Sequence, residues 1–204
     1  MNQGTLYIIS APSGAGKTSL VNAVVNALSK IKISISHTTR PMRPGEKSGI
    51  DYHFVSESKF KDLLKENIFL ETAEVYGFLY GTSAKWVQET LQKGEDVILE
   101  IDWQGARQVR IHFIDAISIY IFPPNQETLR SRLEQRHQDN KEVIERRMKE
   151  AKNEISRYTE YDYLICNDQF SEAVEDLKSI IQCHRLQLRH QEKRMGDIIR
   201  KLMS

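Results

Sequence analysis

Residues 11–18 read Ala11-Pro12-Ser13-Gly14-Ala15-Gly16-Lys17-Thr18; the apolar run Leu6–Ser10 precedes them and a helical pattern over 17–28 follows. This order of strand, glycine loop and helix constrains the fold more than any other feature of the chain. Backbone N–H groups of such a loop, together with the helix N-terminus behind it, can wrap a diphosphate. Lys17 then reaches the terminal phosphates and the Thr18 hydroxyl can ligate Mg²⁺. The spacing is that of a phosphate-binding loop with Ala11 in place of the first glycine. Alanine keeps ordinary backbone angles at a strand end, whereas Gly14 and Gly16 stand where left-handed angles and close approach to phosphate are needed. A chance glycine-rich turn is the alternative, and the flanking strand and helix argue against it. A nucleoside triphosphate is the expected ligand.

Strand and helix keep alternating, which predicts an α/β fold with a parallel sheet covered by helices. Residues 33–36 read as extended and 40–45 as a proline-rich turn. Short strands at 52–55 and Phe69–Val75 flank a helix opened by Ser56 and filled by Phe60, Leu63 and Leu64, and this β-richer middle reads as an inserted subdomain. A helix over 82–93 stops at Gly94, and buried strands follow at 97–101 and Ile117–Phe122. Residues 125–158 are charged and helical with a polar break at 138–140, Tyr163–Cys166 is a last strand, and helical periodicity runs from Val174 to Leu202.

Composition removes other classes. The chain has 29 Lys+Arg against 28 Asp+Glu, a net charge of +1, with 40% hydrophobic residues and only ten Gly and five Pro. Nucleic-acid binders show a basic excess and disordered chains lack apolar residues, so neither class is expected, and one compact domain is. Its apolar stretches fall far short of the roughly 20 residues that span a bilayer, so no membrane segment is expected. Leu6 to Ile9 lack a preceding basic region and run directly into the loop, which argues against a signal peptide and for a start near Met1. Cys166 and Cys183 show no pairing pattern, and none of His37, His53, His112, His137, His184 and His190 has a partner at metal-ligand spacing. A reducing, cytoplasmic setting is the expectation.

The segment from Ser36 to Glu46 carries Arg40-Pro41-Met42-Arg43-Pro44, with Asp51-Tyr52 after it. Two proline-fixed arginines can fork onto a phosphate with a tyrosine hydroxyl beside them, which suits a monophosphate anchor. A solvated arginine-proline loop is the other reading of the segment taken alone.

The phosphate loop, residues 36–46, Tyr80-Gly81-Thr82-Ser83, residues 98–105 (ILEIDWQG) and 161–168 (YDYLICND) together resemble the guanylate kinase family in its bacterial form. The matches run in order through nearly the whole chain. The resemblance implies transfer of the terminal phosphoryl of ATP to GMP, and also to dGMP, in purine nucleotide metabolism and GMP recycling. It further implies a P-loop NTPase core with helices on both sheet faces (1–33, 84–125, 160–204), a small mixed α/β GMP-binding subdomain (34–83) and a helical lid (126–159).

Residue by residue, the resemblance places the GMP phosphate on Arg40, Arg43, Tyr52 and Tyr80 with Ser36 nearby, and the guanine on Glu71 and Thr82 with Asp102 close by. Guanine presents N1–H and N2–H₂ side by side, so one carboxylate accepts both while a hydroxyl such as Thr82 donates to O6; adenine would leave the acid unpaired. Taken without the family, Glu71 reads as a surface glutamate on an edge strand. ATP falls to residues 11–18 with Arg132, Arg136, Asn167 and Asp168. Lys17, Arg40, Arg43, Arg136 and Arg147 are the implied catalytic cations, and Arg130 and Arg146 read as solvated. Mg²⁺ would be held by Thr18 and, through water, by Glu100 or Asp102. No protein nucleophile is required, because positioning and charge compensation carry phosphoryl transfer.

Two departures stand out. Gln135 and His137 replace glycines that usually flank the lid arginine, so lid closure is expected to hinge near 138–140. Cys166 stands where a branched apolar residue is usual and reads as a small buried thiol. The C-terminal helical stripe, with Lys178, Arg185, Arg189, Lys193, Arg194, Arg200 and Lys201 between apolar positions, can lie on a membrane surface, on the core or on a second subunit. Packing against core or subunit is favoured, and bacterial relatives are oligomeric. Two other functions compete. Guanylate-kinase-like scaffold domains bind phosphopeptides after losing phosphate-loop residues, yet Gly14, Gly16, Lys17 and Thr18 are all present. A kinase for another phosphorylated ribose compound would not need Glu71 and Thr82.

Overall fold

The computed structural model describes residues 3–135 and 141–204. In chain order its elements are β1 Leu6–Ser10, α1 Lys17–Ala27, β2 Ile31–Ile33, β3 His37–Thr38, β4 His53–Phe54, α2 Glu57–Lys65, β5 Phe69–Val75, β6 Phe78–Ser83, α3 Ala84–Gln92, β7 Asp96–Glu100, α4 Trp103–His112, β8 Ile117–Phe122, α5 Gln126–Glu134, α6 Lys141–Ile155, β9 Tyr163–Cys166, α7 Phe170–Arg185 and α8 Leu188–Met203.

One sheet has the strand order β2-β7-β1-β8-β9, and every neighbouring pair runs parallel. Strand β1 is buried along its whole length because it must be apolar on both faces. Its residues divide by the two-residue period of a strand: Tyr7 and Ile9 pack with α1 and α7, while Leu6 and Ile8 pack with α3 and α4. Helices on both faces of a parallel sheet are the architecture expected from the alternation. The polar residue inside β8 has a use, since the Ser118 N–H and hydroxyl both donate to Asp162 Oδ2, at 2.8 and 2.7 Å. That pair ties the chain after α6 to the core sheet. Nearby, Glu160 accepts from Arg107 Nε and Nη2 at 2.8 and 2.6 Å, and Arg107 and Arg157 lie 5.0 and 4.8 Å from the Trp103 ring.

The second sheet has the order β4-β3-β6-β5, with β5 and β6 forming an antiparallel hairpin. Phe60 of α2 stacks on Phe69 at 4.6 Å, giving this small layer its own apolar center. Strand β5 is an edge, but α4 covers it: the Thr72 N–H donates to Gln108 Oε1 at 3.1 Å and Gln108 Nε2 donates to Thr72 O at 2.7 Å. Gln108 thus completes both backbone groups of Thr72, and Gln104 Nε2 donates to Glu74 O at 3.1 Å farther along the edge.

Several expectations shift. The extended segment placed at 33–36 pairs with β7 over 31–33 instead, and the chain leaves the core sheet at Ser34, so 34–36 belong to neither sheet. The helix expected from 82 starts at Ala84, because residues 78–83 pair with β5 and the Ser83 hydroxyl caps the helix by accepting from the Trp86 N–H. Helix α4 has no counterpart in the sequence reading, since polar residues interrupt its periodicity. The periodicity from 174 to 202 is two helices, α7 and α8, separated at Leu186-Gln187. Leu64 and Cys166 are exposed rather than buried, the latter because β9 is a sheet edge with only Ile165 of its four residues buried. Arg136, His137 and the hinge expected at 138–140 lie outside the described residues. Among the described residues no helix is long and apolar enough to cross a membrane.

Replacing Gln108 by Leu would leave the Thr72 N–H and C=O without their amide partner at a cost of about 1–3 kcal/mol. Hydrogen exchange should then quicken along β5 while β1 and β8 keep their protection; uniform loss of protection across both sheets would contradict separate docking of the second sheet.

Candidate functional site

Strand β1 ends at Ser10, and the loop that follows turns on Gly14 and Gly16, with φ of 93° and 88°. Ala11 has no positive φ, so the missing first glycine costs the loop nothing. The loop is enclosed on its outer side. A Cβ at Gly14 would lie 3.1 Å from side-chain atoms of both Leu129 and Leu133 of α5, and one at Gly16 would lie 2.5 Å from Asn167 Nδ2. Asn167, buried just beyond β9, donates through Nδ2 to Ala15 O at 2.7 Å, and Arg132 Nη2 donates to Asn167 O at 3.1 Å. Both residues therefore brace the loop. Asp168 beside them is exposed.

At the other side of the loop the Thr18 hydroxyl donates to Glu100 Oε2 at 2.9 Å. Glu100 is the last residue of β7, and Asp102 two residues on caps α4 by accepting from the Gly105 N–H at 3.0 Å. A hydroxyl and a carboxylate beside the phosphate loop are hard oxygen donors, the set Mg²⁺ takes when nucleotide phosphates supply its other ligands. Among the described residues no group of three or more His, Cys, Asp or Glu could hold a metal ion.

The facing wall comes from the second sheet. Arg40 is buried: its Nη2 donates to Glu46 Oε1 at 2.7 Å, and its guanidinium lies 5.4 Å from the Tyr52 ring and 5.6 Å from that of Phe54. Glu46 also accepts from the Arg43 N–H at 2.8 Å. Burial pushes the Glu46 carboxyl up, but the bonds from Arg40 and Arg43 outweigh it and hold the group below its usual range. Tyr52 and Tyr80 meet edge to face at 5.9 Å, and burial, reinforced by Tyr80, pushes the Tyr52 phenol up to about 12.

Deeper in, Thr82 Oγ1 donates to Glu71 Oε1 at 2.6 Å and lies 3.3 Å from Ser36 Oγ. Glu71 is 3% exposed, which settles the surface alternative: the edge strand is covered at this point. Burial raises its carboxyl to about 7, against the bond from Thr82, and Asp102 adds to the rise. With Glu71 ionised, the Thr82 proton points at Glu71 and Ser36 donates to Thr82. Donation by Thr82 to any other acceptor therefore requires its hydroxyl to turn. Glu71 reaches this place only because α4 has a glycine there; a Cβ on Gly105 would stand 2.4 Å from Glu71 Oε2.

Lys17, Thr18, Ser36, Arg40, Arg43, Tyr52, Glu71, Tyr80, Glu100, Asp102 and Arg147 line one cleft of about 980 Å³, together with Pro12, Ser13, Gly14 and Gly16. Arg147 enters it from α6, buried, over the ring of Tyr76. Arg130 instead pairs with Glu145 across the two lid helices and Arg146 with Glu150 on the surface. Sequence reasoning missed Glu46, Gly105, Tyr76 and Glu154. Glu46 sits within the quoted arginine-proline segment, and its acidity among bases was the available signal. Glu154 lines the cleft from α6, and burial raises its carboxyl to about 7 against the pull of Lys17. Nothing in the local pattern distinguishes it from the other lid acids.

The guanylate kinase family model matches residues 3–184. A guanylate kinase of Pseudomonas syringae pv. tomato is 53% identical over 209 residues, covering 98% of both chains. One of Coxiella burnetii is 53% identical over 203 residues, covering all of this chain and 98% of its own. Among solved structures, guanylate kinase from Anaplasma phagocytophilum superposes with a TM-score of 0.78 at 32% identity, covering 92% of this chain and 89% of that one. With a phosphate loop facing a buried carboxylate across one cleft, and with relatives matched along its whole length, the chain belongs to the guanylate kinase family.

Proposed function

We infer that the cleft brings ATP and GMP together: the protein is a nucleoside monophosphate kinase that transfers the terminal phosphoryl of ATP to GMP, giving ADP and GDP. The observation that carries the assignment of sides is the buried Glu71, held by Thr82 in the cleft that also contains Lys17 and Thr18. A buried carboxylate accepts the adjacent N1–H and N2–H₂ of guanine and is left unpaired by adenine. Arg40 and Arg43 take the GMP phosphate, for which Arg40 exchanges its Glu46 partner; Tyr52 and Tyr80 supply hydroxyls, and Asp102 holds the helix turn behind the base. The loop 11–18 holds the ATP phosphates, braced by Arg132 and Asn167, with Arg136 assigned to ATP by the family resemblance and Asp168 toward the adenine. Residues 34–83 serve as the GMP side and 126–159 as the lid over a core of the remaining segments.

An oxygen of the GMP phosphate attacks the terminal phosphorus in line, and the bond to the bridging oxygen of ADP breaks. Charge spreads over the three equatorial oxygens, where Lys17, Arg40, Arg43, Arg136 and Arg147 stabilise it. Mg²⁺, held by Thr18 with Glu100, supplies charge compensation between the phosphates when bound. The setting is cytoplasmic, where both nucleotides occur and the free thiols of Cys166 and Cys183 suit reducing conditions.

Helix α8 supports a self-association surface. Leu188, Met195, Ile198 and Leu202 follow a three-four spacing and are exposed, and both charge signs flank them in Glu192, Asp197, Arg200 and Lys201. A second copy, bringing the same stripe and both signs, is the occupant such a helix fits.

Offered GMP, dGMP, AMP and UMP separately in a coupled ADP-release assay, the protein should turn over the guanine nucleotides; equal turnover of AMP would sink the guanine reading. Glu71→Gln should raise the KM for GMP about 100-fold with ATP binding intact. Because Glu71 titrates at about 7 and guanine selects its ionised form, GMP binding near pH 6 should expel a proton through this group, and near pH 8.5 it should not. Calorimetry in buffers of different ionisation enthalpy reads the difference between wild type and Glu71→Gln; identical proton release from both at pH 6 would remove the assignment. In light scattering the protein should exceed its 23.7 kDa chain mass, and Ile198→Glu should reduce it to that mass. A wild-type monomer at high micromolar concentration excludes the helix pairing.

A further inference from the structure

The hairpin of β5 and β6 turns on Tyr76 and Gly77, with φ of 55° and 78°. Two positive φ values in a two-residue loop are the signature of a type I′ turn, whose first place suits asparagine or aspartate. A bulky aromatic side chain there is an outlier, and such outliers persist where the surroundings require them. Among the described residues the buried Tyr76 oxygen finds no hydrogen-bond partner of good geometry, although Ser13 of the phosphate loop stands near it. What the ring does have is the Arg147 guanidinium, 5.3 Å from its centroid and within the range of a cation–π contact.

The two residues come from different moving parts. Tyr76 is the tip of the GMP-side sheet and Arg147 belongs to α6 of the lid, and both line the cleft beside the phosphate loop. Burial pushes the phenol far above its usual range, so the ring stays neutral, while Glu154 and Glu150 place acidic groups around the same spot. A neutral aromatic face supports a guanidinium without placing an opposing charge beside it.

We propose that Tyr76 is a positioning residue: its ring seats the lid's Arg147 over the phosphate loop and so couples the GMP-side hairpin to the lid. The inference rests on the reading of Arg147 as a cation of the transfer step.

The substitution Tyr76→Asn tests this cleanly, since Asn-Gly is a favored type I′ pair and the turn should survive it. Steady-state kinetics and melting temperatures would be measured for wild type, Tyr76→Phe, Tyr76→Asn, Arg147→Ala and the double variant Tyr76→Asn/Arg147→Ala. Tyr76→Asn should melt at or above the wild-type temperature, yet lose about five- to thirty-fold in kcat with both KM values within about threefold, the range of a desolvated cation–π contact. Tyr76→Phe should keep kcat within about twofold, because the ring face does the work. In the Arg147→Ala background, adding Tyr76→Asn should cost nothing more. Equal losses in both backgrounds, an unchanged kcat in Tyr76→Asn, or a Tyr76→Phe as slow as Tyr76→Asn overturns the seat. So does a Tyr76→Asn that melts well below wild type, since the ring would then be holding the hairpin. If Arg147→Ala leaves kcat unchanged, the role of Arg147 fails and the seat with it; if Arg147→Ala is slow and Tyr76→Asn is not, only the seat fails.

Discussion

Parallel pairing is the constraint from which the rest of the structure follows. Because β2, β7, β1, β8 and β9 run in one direction, their C-terminal ends share one edge of the sheet, where open α/β sheets bind ligands. The residues that leave that edge supply the cleft and its braces: the phosphate loop after β1, Ser36 after β2, Glu100 and Asp102 at the end of β7, Asn167 after β9. Ser10 Oγ, donating to Ile101 O at 2.7 Å, holds two of these exits side by side. Apolar burial on both faces makes that edge rigid, so the charged groups it presents lose little order when nucleotides arrive.

The placement of Glu71 depends on a close approach. Helix α4 presents Gly105 to Glu71 and Gln108 to Thr72, so the same helix fixes the carboxylate and completes the edge of the strand that carries it. Specificity and subdomain docking are thereby linked through one surface of one helix. Arg40, whose partner Glu46 also accepts from the Arg43 N–H, is held in a similar manner: one carboxylate orients two basic residues of a mostly exposed loop.

A net charge of +1 now has a spatial meaning. Cations from distant segments, Lys17, Arg40, Arg43 and Arg147, meet in one cleft with Glu71, Glu100, Asp102 and Glu154. Two anionic substrates need concentrated positive charge, and the acids break that charge into separate patches within the cleft. Burial in its walls raises Glu71 and Glu154 alike to about 7.

Local sequence determined what local physics controls. The strand, glycine loop and helix of residues 6–28 were legible because an unbroken apolar run, two glycines and a lysine leave few other conformations, and the cap Ser56 worked the same way. Strand β6 and helix α4 were not legible, since Gly81-Thr82-Ser83 has the composition of a turn and the polar residues of α4 face the second sheet. The chemistry of Glu71 was legible only through family resemblance; its burial arises from α4, far along the chain. Tertiary structure alone decided that Glu46 holds Arg40, that Gly105 admits Glu71, and that the Tyr76 ring meets Arg147. Each is a contact between segments whose separation in sequence, or lack of periodic pattern, leaves no local energetic trace until the sheets and helices pack.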